Sequence, residues 1–263
     1  MNFIEPHVHM VSRTTDEYER MAWSGCTAVV EPAFWLGSDR TCVGSFLDYF
    51  NHLTTFEPAR ASRYGIKHFA CIGLNPKEAN NKSLALDVIS AFSPYLDRPT
   101  VVGVGEIGFN LINDTEEEIF RTQLEVARKR GMLVVVHSPH QNKAVGVKRT
   151  CQILEEMDIP RERILLDHNT EETIEDSLRL GVWAGLTIYP TKLSPERTAA
   201  ILRRYGVERM IISSAADWGE SDPLSVPRTM ALMRRQGFTP AQIETVVWRN
   251  PITFYNQSGR FSP

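Results

Sequence analysis

A chain of 263 residues with 42% hydrophobic content suits one α/β barrel, and it can form its core without disulfides or a structural metal. Charge is nearly balanced, 29 Lys and Arg against 32 Asp and Glu, which excludes recognition of nucleic acid by bulk charge but not by a local patch. The N-terminal stretch Met1 to His7 lacks a basic region followed by an apolar run, and no segment approaches the roughly 18 apolar residues of a membrane span. With four scattered cysteines and no CxxC, these features predict reduced thiols, no signal peptide, no membrane span and a cytoplasmic location.

In chain order, runs rich in Val and Ile predict eight strands, at 3–9, 27–34, 67–74, 101–107, 133–137, 163–168, 183–188 and 209–215. Their near-continuous apolar character is that of parallel strands covered on both faces. Helical stretches lie between them. One starts with acids at Asp114-Thr-Glu-Glu-Glu, ends with bases at Arg128-Lys-Arg130 and stops at Gly131, as the helix dipole and C-cap preferences require. Another opens on Ser194-Pro195, an N-cap followed by proline at the first helical position. Eight alternations with no linker predict a single-domain (β/α)8 TIM barrel over residues 1–263. An open doubly wound sheet is the rival, but its Gly-rich phosphate loop is missing after the first strand.

Barrel chemistry sits where strands end. The first predicted strand ends in His7-Val8-His9, whose alternation sends both imidazoles to one side. The fourth ends in Gly105-Glu106-Ile107-Gly108, with glycines leaving room beside a carboxylate that needs a partner if buried. His137 follows the fifth strand, Asp167-His168 the sixth and Asp217 the eighth. Each residue alone has a structural explanation, as a core histidine or a turn carboxylate. Together, His7, His9, Glu106, His137, His168 and Asp217 form a nitrogen and oxygen ligand set suited to zinc or a similar divalent ion. Of the other histidines, His52 reads as helical and exposed, and His68 as structural.

These residues and their order resemble the TatD-like metal-dependent hydrolases of the amidohydrolase superfamily. The resemblance rests on His7 and His9, on Gly-Glu-Ile-Gly at 105–108, on Val136-His-Ser138, His168 and Asp217, and on the closing Asn250 and Phe254. It runs the whole chain. Three positions depart from the TatD nuclease pattern: Asn110 where Asp is usual, Pro139 where Arg is usual, and Asn169 to Thr173 in place of a Cys-Phe-Ser-Gly loop. Loss of the Arg removes a bidentate phosphate partner and weighs against a nuclease. The segments at 31–35, 167–172 and 221–227 are more similar to a TatD-related branch that includes archaeal homologues and EboC-type proteins.

The resemblance implies one or two divalent ions, zinc first and manganese or magnesium as alternatives. His7, His9, Glu106 and Asp217 would hold one, and a bridging Glu106 with His137 and His168 the other. No Lys stands at the fourth-strand position, so Glu106 replaces a carbamylated lysine. Water activated by the metal would attack the substrate, with Asp217 and Glu106 as the catalytic carboxylates and Asp217 carrying the proton. Lys192, His140, Trp35, Trp218 and Asn110 are the candidate substrate contacts. The expected substrate is a small-molecule ester, lactone, amide or phosphoester. A TatD-type deoxyribonuclease is the alternative, and a lyase, isomerase or non-catalytic metal-binding barrel the third reading.

Overall fold

The computed structural model describes all 263 residues. Its eight strands are β1 (Phe3–Glu5), β2 (Cys26–Pro32), β3 (Lys67–Ile72), β4 (Val101–Gly108), β5 (Leu133–His137), β6 (Ile164–Leu166), β7 (Trp183–Thr187) and β8 (Met210–Ser213). All neighbours pair in parallel and in sequence order. The ring closes just beyond the strand ends, where Ala215 N donates to His7 O and His9 N to Ala216 O, both at 2.8 Å. The result is the expected (β/α)8 barrel.

Alternation along the strands sorts the core into layers. Ile4, Val30, Phe69, Val102, Val135, Leu165, Trp183 and Ile211, one from each strand, belong to a single buried cluster. Phe254, Tyr255 and Phe261 from the C-terminal segment join it, with the Trp183 and Phe254 ring centroids 5.9 Å apart. Residues one step away along the strands, such as Ala70, Val134 and Leu166 or Val29 and Ile212, pack in two larger clusters with the surrounding helices. Such a layered interior is a packed core, so the site must be built at its rim.

The helix signals are realised. Asp114–Arg130 is helical, capped by Asn113 accepting from Glu116 N and ended by Gly131 at φ 60°. Ser194 caps Pro195–Tyr205 by accepting from Arg197 N.

Six of the predicted strands end early, two of them before histidines they were expected to carry. β1 stops at Glu5 and β6 at Leu166, so His7, His9 and His168 occupy the turns that follow. His168 adopts φ 60° and Ala215, beside the site, φ 42°, left-handed conformations uncommon for side-chain-bearing residues and concentrated at functional sites. His7 and His9 still converge, because the β8–β1 closure bonds hold both backbones in register. His52 lies in a helical turn as expected, but it is half-buried and bonded to Glu57 at 3.0 Å.

Candidate metal centre

Glu106 reaches the site from an irregularity in β4. Val104 pairs with Val134 but Ile107 with Val136, so β4 carries one residue more than β5 across this stretch. Such a bulge re-aims a side chain. Gly108 allows the approach, since a Cβ at its φ of 140° would overlap the His137 carbonyl.

Four imidazoles surround the Glu106 carboxylate. His7 Nε2 lies 2.9 Å from Oε2 and His9 Nε2 3.8 Å from the same oxygen. His137 Nδ1 is in close contact with Oε1, and His168 Nε2 lies 3.8 Å from it. His7 and His9 bring their Nε2 atoms within 3.1 Å of each other. All five residues are buried, the most exposed at 5%.

Partners behind the rings set their orientation. His7 Nδ1 is 2.5 Å from Asp167 Oδ2, and His168 Nδ1 is 2.7 Å from Thr187 Oγ1. The His9 ring stacks on Phe34, with centroids 3.8 Å apart and planes 11° from parallel. Burial would push His7 down, but Asp167 and then Glu106 hold it up at about 9. Burial pushes His9, His137 and His168 below the usual imidazole range, so each is neutral with a lone pair to offer. Burial would raise Glu106, but His137, His168 and His7 together hold it well below the ordinary carboxylate range.

This donor set fits a divalent cation. His7, Glu106 and His168 offer ligand atoms within 4.8 Å of one another. Nε2 of His137 and Nδ1 of His9 are buried without a hydrogen-bond partner. Orphaned nitrogens beside a buried anionic carboxylate are costly unless a cation takes the lone pairs. A second cluster, Glu31, Glu57 and His68, is also compact and buried, but every carboxylate oxygen already has a protein partner. Glu31 bonds with Val11 N and with His68 Nε2, and Glu57 with His52, Tyr18 and Arg60. It is a structural network, in keeping with the reading of His68.

A cavity of about 220 Å³ opens over the centre, lined among others by His9, Glu106, His137, His168 and Asp217. Asp217 is held through Oδ1, which accepts from Tyr189 OH at 3.0 Å and Gly219 N at 2.8 Å. Arg13 donates to its carbonyl oxygen at 2.6 Å. Lys192, His140, Trp35 and Trp218 all line the same cavity. Asn110 does not. Its backbone N–H, with those of Leu111 and Ile112, is drawn to the Glu116 carboxylate at the start of the following helix, and this fixes the loop away from the cavity.

Several neighbours went unassigned in the sequence reading. Asp167, Thr187, Phe34, Tyr189, Lys77 and Asn75 all hold or line the site. A signal existed for Asp167, a carboxylate at the end of an apolar strand beside a candidate ligand histidine. Nothing local marked the others.

Comparison with known proteins agrees with this geometry. The chain matches the family described as TatD related DNase over residues 5–256. It is 28% identical over 256 residues to an uncharacterized metal-dependent hydrolase of Methanocaldococcus jannaschii, covering 96% of this chain and 99% of that one. The crystal structure of a TatD-like protein from Archaeoglobus fulgidus superposes with a TM-score of 0.80 at 25% identity, covering 97% of this chain and all of that one. A mutant of organophosphorus hydrolase from Deinococcus radiodurans shares the fold, with a TM-score of 0.70 at 16% identity over 96% of this chain and 92% of the other. With its barrel and a match spanning nearly its whole length, this chain belongs to the TatD related DNase family and is a TatD-like metal-dependent hydrolase.

Proposed function

We propose that this hydrolase acts on a small-molecule ester, lactone, amide or phosphoester, using one or two divalent ions. The observation that carries the reading is the convergence of four buried imidazoles on Glu106, two of them with unpaired nitrogens. His7, His9, Glu106 and Asp217 would hold one ion, and Glu106, His137 and His168 a second. A nitrogen-rich set favours zinc, with manganese or magnesium as alternatives. When bound, a divalent ion lowers the pKa of water toward roughly 7 and polarises the scissile bond.

The protein's own groups supply the remainder. Asp217 is the general base, taking the proton from the attacking water and returning it to the leaving group. Tyr189 OH and Gly219 N–H hold its Oδ1, which leaves Oδ2 for the transfer. Glu106 is the anionic centre that keeps the imidazoles oriented. Phe34 on His9 and Thr187 on His168 restrict ring rotation, so the site is preorganised.

The cavity's size supports a small substrate over a nucleic-acid strand. No helix is long and apolar enough to cross a membrane. The test is elemental analysis of the purified protein beside a His7→Ala/His9→Ala variant, followed by a screen of esters, lactones, amides, phosphoesters and DNA oligonucleotides. One to two equivalents of metal, lost in the variant, with turnover of a small substrate are expected. No metal after reconstitution overturns the hydrolytic reading, and turnover of DNA alone establishes the nuclease.

A further inference from the structure

Three lysines approach this cavity without a carboxylate in direct contact, although Glu106, Asp167 and Asp217 lie close enough to act on Lys192 by charge. Lys192 and Lys77 line it, and Lys143 lies behind His168, donating to the His168 carbonyl at 3.1 Å and to Ser138 Oγ at 2.9 Å. None of the three forms an ion pair, whereas Lys82 and Lys129 on the outer helices do. Lys192 is the costly case, since it is only 7% exposed.

Its one hydrogen-bond neighbour is His168 Nδ1, at 3.3 Å, and the Tyr189 ring centre lies 5.0 Å from its Nζ. His168 Nδ1 also lies 2.7 Å from Thr187 Oγ1, and Thr187 Oγ1 lies 3.1 Å from Asp167 Oδ1. If His168 offers its Nε2 lone pair to a cation, its proton must sit on Nδ1. That N–H then donates to Thr187, whose own hydroxyl donates onward to Asp167. A protonated Nδ1 cannot accept from Lys192. The Lys192 ammonium is therefore without an acceptor at the cavity wall in the state that binds metal. Bound divalent cations would neutralise Glu106 and Asp217 and leave the lysines' charge uncompensated.

The cavity's outer wall is aromatic. Trp35 and Trp218 meet edge to face with centroids 5.9 Å apart, and Lys77 Nζ stands 4.4 Å from the Trp35 ring centre. Trp218 remains 54% exposed. An indole pair beside an unpaired ammonium offers stacking and charge together.

We propose that the substrate is a small ring-bearing organic anion, its anionic group on Lys192 and Lys77 and its ring against Trp35 and Trp218. The anionic group, a carboxylate or a phosphate monoester, is separate from the bond that is cleaved. This assignment rests on the hydrolytic reading above, since the metal-competent tautomer of His168 is what frees Lys192.

The test is calorimetric titration of the metal-loaded protein with benzoate, phenyl phosphate and neutral benzamide, with acetate and inorganic phosphate as ringless probes. One or both aromatic anions should bind at least about ten-fold more tightly than benzamide and than their ringless counterparts, which is about 1.4 kcal/mol. The preferred anion identifies carboxylate or phosphate. Lys192→Met should erase the preference over benzamide and Lys192→Arg retain part of it, each checked for metal content because Lys192 adjoins His168. Lys77→Met, away from the ligands, should weaken the anions several-fold and carries the test if Lys192→Met loses metal. Equal binding of benzamide, or undiminished anion binding in the lysine variant that retains metal, overturns the proposal. Normal metal content with no anion preference defeats this inference alone. Absence of metal with the lysine-dependent preference intact defeats the hydrolytic reading and leaves the anion site standing.

Discussion

His7 Nδ1 lies 2.5 Å from Asp167 Oδ2, with both side chains all but sealed from solvent. When His7 gives up its Nε2 proton to a cation, the contact fixes the tautomer: the remaining proton stays on Nδ1, toward the carboxylate, and the Nε2 lone pair faces Glu106 and His9. Asp167 also accepts from His168 N at 2.7 Å and Thr187 Oγ1 at 3.1 Å, so one carboxylate aligns two of the candidate ligand histidines. Asp167→Asn keeps the shape but removes the charge. It should weaken metal affinity about 10- to 100-fold, measured by competition with a chelator. Unchanged affinity would reduce Asp167 to a structural acceptor for the turn.

Gly185 on β7 gives the same carboxylate its room, because a Cβ there would overlap Asp167 Oδ1. Gly185→Ala forces Asp167 to shift within a packed interior. A loss of about 1–3 kcal/mol in urea unfolding is expected, together with the weakened metal binding of Asp167→Asn. A variant that is destabilised yet binds metal normally would show that Asp167 can move without disturbing His7.

The barrel was legible in the sequence because parallel strands buried on both faces read as Val- and Ile-rich runs, and caps such as Ser194 and Gly131 are local signals. The candidate ligands could be named for a related reason, since chemistry at strand ends places His137, His168 and Asp217 just after apolar runs. The supporting groups were not. Phe34 stacks on His9 and Thr187 meets Asp167 only after the ring of strands closes, and neither contact leaves a spacing in the chain. Asn110 misled for the same reason, because Glu116 pulls its loop away through backbone N–H groups that no side-chain pattern records.

Removing the metal should destabilise the fold as well as stop turnover. A ligand that binds the folded state at 100 times its Kd adds about 2.7 kcal/mol, and for a chain of this size that corresponds to a Tm change of roughly 5–10 °C. Chelation should lower Tm by that order, and restored zinc should recover it. The His7→Ala/His9→Ala variant should show little response to either treatment. An identical Tm with and without chelator in the wild type would mean that the imidazoles and Glu106 satisfy one another without an ion.

The Glu31–His68 pair should give stability a pH dependence of known sign. His68 Nε2 lies 2.7 Å from Glu31 Oε2, both fully buried. Burial, and next the charge of Glu57, pushes Glu31 well above the carboxylate range, while burial pushes His68 down to about 4. The folded pair is thus neutral and holds one proton, with the Glu31 hydroxyl donating to the imidazole. In the unfolded chain the two groups titrate near their ordinary values, about 4.3 and about 6.5. Above the higher value the unfolded pair holds no proton and the folded pair one, so stability falls as pH rises, by about 1.4 kcal/mol per unit. Between the two values each state holds one proton and the pair contributes no slope. Below the lower value the unfolded state takes a second proton, and stability falls again as pH drops toward the folded value of His68. Glu31→Gln keeps a donor for the imidazole but carries no titrating proton, so its stability should lack the decline above pH 6.5. Urea unfolding of both proteins from pH 6.5 to 8 decides the matter. Parallel profiles would mean that the pair is ionic or that its proton is lost before folding is complete.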